Sequence, residues 1–207
     1  MADSDVSKLE ANQPEIVRPM GNFLPCMWSD QFCSFSLDKQ YANEIEVLKE
    51  KVRSMLVAAG GKSAERRHLI NTLERLGVSY HFEKEIEDQL ENMFSAYDHE
   101  NNEGYDLKTI GLHFRIFRQH GYKMPSDVFN KFRESNGEFQ ESTTTDVMGM
   151  LSLYEAAHLR THGDDILDEA LVFATTHLQS IVTNLSPTLA KEVVHALKQP
   201  LHKGFPF

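Results

Sequence analysis

The sequence predicts an all-α protein carried behind an extended N-terminal arm, and three observations support that expectation. From Asp38 onward apolar residues recur at alternating spacings of three and four. No segment alternates with the period of two that a half-buried strand needs. Glycine or proline punctuates the helical stretches at short intervals. The arm occupies residues 1–37, the helical domain 38–198 and a tail 199–207.

In the arm, Pro14, Pro19, Gly21 and Pro25 break any helical period. The first helix then places Tyr41, Ile45, Leu48, Val52 and Met55 on one face, with Gly60-Gly61 as its stop. Ser63 is placed to cap the second, whose apolar face is Leu69, Ile70, Leu73 and Leu76 before Gly77. A third face runs Phe82, Ile86, Leu90, Met93 and Tyr97, and a fourth runs Leu107, Ile110, Phe114 and Phe117, closed by His120-Gly121. A short helix is expected around residues 125–132, and a longer one carries Val147, Met150, Leu151, Tyr154 and Ala157. After Gly163 the next helix turns Leu167, Leu171, Ala174, Leu178 and Ile181 inward. Ser186-Pro187 gives a cap followed by proline at the first helical position, and Leu189, Val193 and Leu197 follow. Connections this short force successive helices to pack as neighbours.

The 207 residues suffice for one domain with a proper core. A net charge of −10 argues against a broad phosphate-binding face, so no nucleic-acid partner is expected. No stretch approaches the roughly 20 apolar residues of a membrane span, so no membrane partner is expected either. The acid-bearing N-terminus resembles neither a secretory signal nor an Arg-rich transit peptide. Cys26 and Cys33 are too few for a disulfide framework. Together these point to the cytoplasm.

Asp164-Asp165-Ile166-Leu167-Asp168 matches Asp-Asp-x-x-Asp. On a helix its carboxylates share a face and can hold Mg²⁺ against a diphosphate. Alternatively Gly163 ends one helix, Asp164 caps the next, and the remaining acids sit at the positive end of its dipole. Ionising an allylic diphosphate needs a second ligand cluster across an apolar pocket. Glu83, Glu85, Glu87 and Asp88 read instead as a charged first turn, which favours the helix-start reading. Gly60-Gly61-Lys62-Ser63 lacks the upstream glycine and the strand of a P-loop. His158 and His162 lack the glutamate and third ligand of a zinc site, and His162 beside Gly163 is placed to satisfy carbonyls at a helix end. No nucleophile elbow or activated cysteine is present. No catalytic and no metal residues are assigned.

The arm adds a resemblance. Arg18-Pro19-Met20-Gly21-Asn22-Phe23-Leu24-Pro25-Cys26-Met27-Trp28 is similar to the signature of plant terpene synthases, an Arg-Arg or Arg-Pro pair with Phe-x-Pro-x-x-Trp behind it. Three further segments resemble the sesquiterpene, cadinene-synthase-like branch: residues 76–82, residues 114–122 and residues 162–170. Asp127-Val128-Phe129-Asn130-Lys131-Phe132 adds another, and the likeness runs from Arg18 to about Lys203.

The resemblance implies an α/α-barrel-type helical domain, the terpene synthase N-terminal domain. It also implies that residues 164–168 are not the family's catalytic metal motif. Mg (or Mn) and farnesyl diphosphate are then expected only in the full-length parent, with no cofactor in this chain. Arg18, Pro19 and Trp28 match the arm that in the family folds over the active-site mouth and keeps water from the carbocation. The tail reads Gly204-Phe205-Pro206-Phe207 where relatives continue through Gly-x-Pro-Arg into further helices. A chain cut short of the cyclising part is therefore expected. Apolar surface left uncovered would favour self-association or pairing with a terpene synthase.

Overall fold

A computed structural model of the protein describes residues 36, 38–58, 63–96 and 104–203. The chain divides into two compact units, Met1–Asn43 and Glu44–Phe207. In the first, the described residues hold the start of a helix: the Asp38 carboxylate accepts the Gln40 N–H at 2.9 Å and the Asp38 carbonyl accepts that of Ala42 at 3.0 Å.

Seven α-helices are described. They are α1 (Lys39–Ala58), α2 (Ser63–Arg75), α3 (Glu83–Ser95), α4 (Leu107–Gln119), α5 (Val147–Ala157), α6 (Asp165–Ile181) and α7 (Pro187–Lys198). Short 3₁₀ turns join them, including Ser126–Phe132 and Glu141–Thr145. Among the described residues the sole β-pairing is an isolated bridge between Arg133 and Phe139. The all-α expectation holds.

Within the larger unit, α5 lies between α4 and α6 and also meets α7. The core follows the sequence pattern closely from α3 onward. Phe82, Ile86, Leu90 and Met93 are buried, as are Leu107, Ile110, Phe114 and Phe117, and then Met150, Leu151, Tyr154 and Ala157. Leu167, Ala174 and Leu178 of α6 and Val193 of α7 are buried as well. The aromatic rings interlock edge to face, Phe94 on Phe117 at 5.2 Å and Phe114 on Phe129 at 5.2 Å, as the ring quadrupoles favour.

Two expectations are corrected. In α1, Tyr41, Ile45, Leu48 and Met55 are exposed, Leu48 by 59% and Met55 by 56%. The side packed inward runs through Lys49, Val52, Arg53 and Leu56, and Leu56 is fully buried. That stripe has the same i, i+3, i+4, i+7 spacing, rotated by about one residue. Two of its members are half-buried cations, which an apolar-only pattern overlooks. Arg53 Nε donates to Glu85 Oε1 at 2.9 Å, and its guanidinium lies 5.9 Å from the centre of the Phe82 ring. The second correction is Leu76, 69% exposed because α2 has already ended at Arg75.

Helix ends explain the turns. α2 and α4 stop in the same way: Gly77 and Gly121 adopt φ of +67° and +82°. The N–H of Val78 returns to the Leu73 carbonyl at 3.0 Å, and that of Tyr122 to the Phe117 carbonyl at 2.9 Å. This six-to-one closure needs a left-handed residue that glycine adopts without steric cost. At the N-termini, Asp106 accepts the Thr109 N–H at 2.8 Å and Asp146 the Gly149 N–H at 2.9 Å. Ser186 stands before Pro187 as expected, yet its side chain makes no capping hydrogen bond.

Candidate functional site

The residues 164–168 are the segment with the most chemistry in the sequence, and the structure sends their carboxylates in different directions. Asp164 is buried, whereas Asp165 is exposed. Asp168 pairs outward with Arg160, Nε to Oδ1 at 2.6 Å. Among the described residues no three His, Cys, Asp or Glu side chains come together to hold a metal ion.

What Asp164 does is set by Arg118, the penultimate residue of α4. The guanidinium has five N–H donors, and all five are used. Nε and one N–H of Nη2 donate to the Met124 carbonyl at 2.9 and 2.8 Å. Nη1 donates to the Leu159 carbonyl at 3.2 Å and to Asp164 Oδ2 at 2.5 Å, and the second Nη2 hydrogen goes to Asp164 Oδ1 at 3.1 Å. The Phe114 ring sits beneath, 4.3 Å from the guanidinium carbon. Thr161 donates to Asp164 Oδ2 from both its N–H and its hydroxyl, each at 2.8 Å. Arg118 first, then the Thr161 bonds, hold the Asp164 carboxyl well below the usual carboxylate range against the opposing effect of burial.

Asp164 therefore occupies the position before α6 without capping it. Its carboxylate turns back to Thr161 and Arg118 and makes no hydrogen bond to the α6 amides. This corrects the capping expectation in detail. The residue closes the turn between α5 and α6 and ties it to the turn after α4, and Gly163 at φ +91° lets the chain make that turn.

The histidine pair also separates. His158 packs against Tyr154 with ring centroids 4.6 Å apart, and both its ring nitrogens are buried without a hydrogen-bond partner. Burial pushes it down to about 4, so the ring is neutral at pH 7. His162 is exposed and satisfies no helix carbonyl among the described residues. Ser63 begins α2, and Gly60, Gly61 and Lys62 lie outside the described residues. Arg18, Pro19 and Trp28 also lie outside the described residues.

Sequence reasoning missed the two arginines of α4. Arg115 is 5% exposed, donates to Asn71 of α2 and, at 2.8 Å, to Gln119, and stands 3.8 Å from Glu74. Glu74 is shared with His120 at 2.7 Å. Arg115 sits inside the apolar stretch Phe114–Phe117 and Arg118 directly follows it; cations placed within or against a run of core residues need partners, and that was the available signal.

The family model for the terpene synthase N-terminal domain matches residues 22–197. A valerianol synthase of Camellia sinensis and a hedycaryol synthase of Camellia brevistyla are each 59% identical over the whole of this chain. The chain spans 38% of the length of these curated relatives. Among solved structures, isoprene synthase from grey poplar leaves superposes with a TM-score of 0.77 at 32% identity, covering 90% of this chain and 35% of that one. Limonene synthase gives 0.77 at 30% identity, covering 87% and 35%. A second isoprene synthase structure, in complex with three Mg²⁺ ions and dimethylallyl-S-thiolodiphosphate, gives 0.74 at 34% identity over 81% of this chain.

Proposed function

This chain belongs to the family of terpene synthase N-terminal domains, and on that premise we propose that it is the N-terminal domain of a sesquiterpene-forming enzyme. The parent activity in this reading is the Mg²⁺-dependent cyclisation of farnesyl diphosphate, a lyase reaction that breaks a carbon–oxygen bond and releases diphosphate. The 207-residue polypeptide by itself turns over no prenyl diphosphate.

One observation supports that last point above the others: Asp164, Asp165 and Asp168 do not fit Mg²⁺. A divalent cation that draws off a diphosphate needs several oxygen ligands converging on one point. Here Asp164 is bound on both oxygens by Arg118, and Asp168 is drawn outward by Arg160. The direct test incubates the purified protein with farnesyl diphosphate and Mg²⁺ and analyses extracts by gas chromatography and mass spectrometry. No hydrocarbon or alcohol above the no-protein control is expected. A defined sesquiterpene that disappears in Asp165→Ala would overturn the reading.

A second reading rests on α1. Ile45, Leu48 and Met55, with Val57, put large apolar side chains into solvent on one helix, a surface suited to pairing with a terpene synthase or with a second copy. In this reading the chain is a non-catalytic interaction module. Co-purification with a full-length relative supports it, and a monodisperse monomer that captures none counts against it.

A further inference from the structure

The cavity walled by α2, α4, α5 and α7 is separate from the Arg118 clasp and has no role in the reading above. Its volume is about 250 Å³, and it is half enclosed. His68, Asn71 and Arg75 come from α2, and Lys108 and Arg115 from α4. Opposite stand Glu155 of α5 with Glu192 and His195 of α7.

The charges in this space are unequal in kind as well as number. Arg115 is buried and engaged by Asn71, Gln119 and Glu74. By contrast, the side chains of His68, Arg75, Lys108 and His195 make no hydrogen bond or ion pair among the described residues. Two permanent cations and two imidazoles thus surround one opening with their donors uncommitted. The carboxylates facing them are weaker opponents than their number suggests. Glu155 is 5% exposed and accepts the Leu201 N–H at 2.8 Å. Burial pushes its carboxyl up, against the opposing pull of that N–H and of Arg115 and Arg75. A Glu155 that takes up a proton becomes a donor toward an anionic guest. Glu192 remains as the single half-buried carboxylate on the far wall.

We propose that this cavity binds a small multivalent oxyanion of the phosphate type, with Arg75 and Lys108 as its principal contacts and Arg115 as the fixed charge at its floor. Planar guanidinium forks and an ammonium on adjacent helices match tetrahedral oxyanions, which accept several donors at once. The assignment runs against the overall charge of −10, so the site draws anions by local arrangement and not by net attraction. Size sets the class. Pockets for drug-sized ligands hold roughly 300–1,000 Å³, and this one falls below that range. It takes the free ion and is too small to enclose a long prenyl tail.

Isothermal titration calorimetry on the full 207-residue chain tests this, with inorganic phosphate, inorganic diphosphate and farnesyl diphosphate as separate titrants. Saturable diphosphate binding at about 1 mM or tighter is expected at physiological ionic strength, with phosphate weaker. Arg75→Gln combined with Lys108→Gln should weaken it at least tenfold. Both side chains reach solvent, so circular dichroism should be unchanged in that variant, and Arg160→Gln on another surface should bind as the parent does. No saturable binding, or equal affinity in the double variant, overturns the proposal. Farnesyl diphosphate binding more than tenfold tighter than diphosphate overturns the small-ion assignment, and equal or weaker binding supports it. None of these outcomes depends on whether the chain makes a terpene.

Discussion

At the scale of single residues, Arg118 shows what a largely buried cation requires. Its five donors meet three acceptor groups, and an ammonium cannot reproduce that planar fan. Arg118→Lys is therefore expected to destabilise the protein almost as much as Arg118→Met, each by about 3 kcal/mol in urea unfolding, the cost of breaking a buried pair from one side. Asp164→Asn should fall in the same range, and the double variant should lose less than the sum because each single change strands the other group. The Asp164 carboxyl is depressed in the folded protein, so its contribution is present above the unfolded value near 3.8 and is lost as pH falls below it. His113 acts higher on the scale. It is fully buried, and burial takes it from 6.5 to about 3. The folded form excludes a proton that the unfolded chain binds, so its contribution is complete above pH 6.5 and declines on acidification. Between pH 6.5 and about pH 5 the loss should approach 2 kcal/mol, at roughly 1.4 kcal/mol per pH unit. Urea midpoints at the two pH values should draw closer in His113→Phe; an unchanged gap would assign the acid sensitivity elsewhere.

At the scale of elements, the contact between α4 and α5 depends on the absence of a side chain. A Cβ at Gly111 would lie 2.8 Å from the backbone carbonyl group of Ser152, and the Ser152 hydroxyl donates to the Lys108 carbonyl at 2.8 Å across the same contact. Backbone cannot yield as a side-chain tip can. Gly111→Ala should therefore lower stability by about 1–3 kcal/mol despite alanine's better helix propensity, measurable as a drop in Tm. Helices α3 to α7 were legible in the sequence because their inward residues are apolar at helical spacing, as Phe82, Ile86 and Leu90 show. Helix α1 was legible as a helix but not in its facing. Lys49 and Arg53 lie on the inward side, while Leu48 and Met55 supply the stronger apolar signal from the outside. The candidate site was legible only as a string. The spacing of Asp164, Asp165 and Asp168 places carboxylates on a helix start, but the direction of Asp164 depends on Arg118, 46 residues earlier, and no local pattern encodes that partner.

At the scale of the whole molecule, the exposed face of α1 bears on association and little on folding. Leu48→Lys with Met55→Lys removes two large apolar side chains from water, so unfolding stability should move by no more than about 0.5 kcal/mol. If that face pairs with a synthase, the same variant should lose co-purification entirely. Retained capture by the charged variant would move the contact to another surface. The relatives at 59% identity are longer than this chain, which spans 38% of them, and the matched family model covers residues 22–197.

The five bonds of Arg118 also bear on how the domain withstands backbone damage. A protease that clipped the peptide after exposed Arg160 would separate α5 from α6 covalently, yet Leu159 and Asp164, one on each side of the cut, would still be held by the same guanidinium. The two fragments should travel together through a sizing column and part only in denaturant.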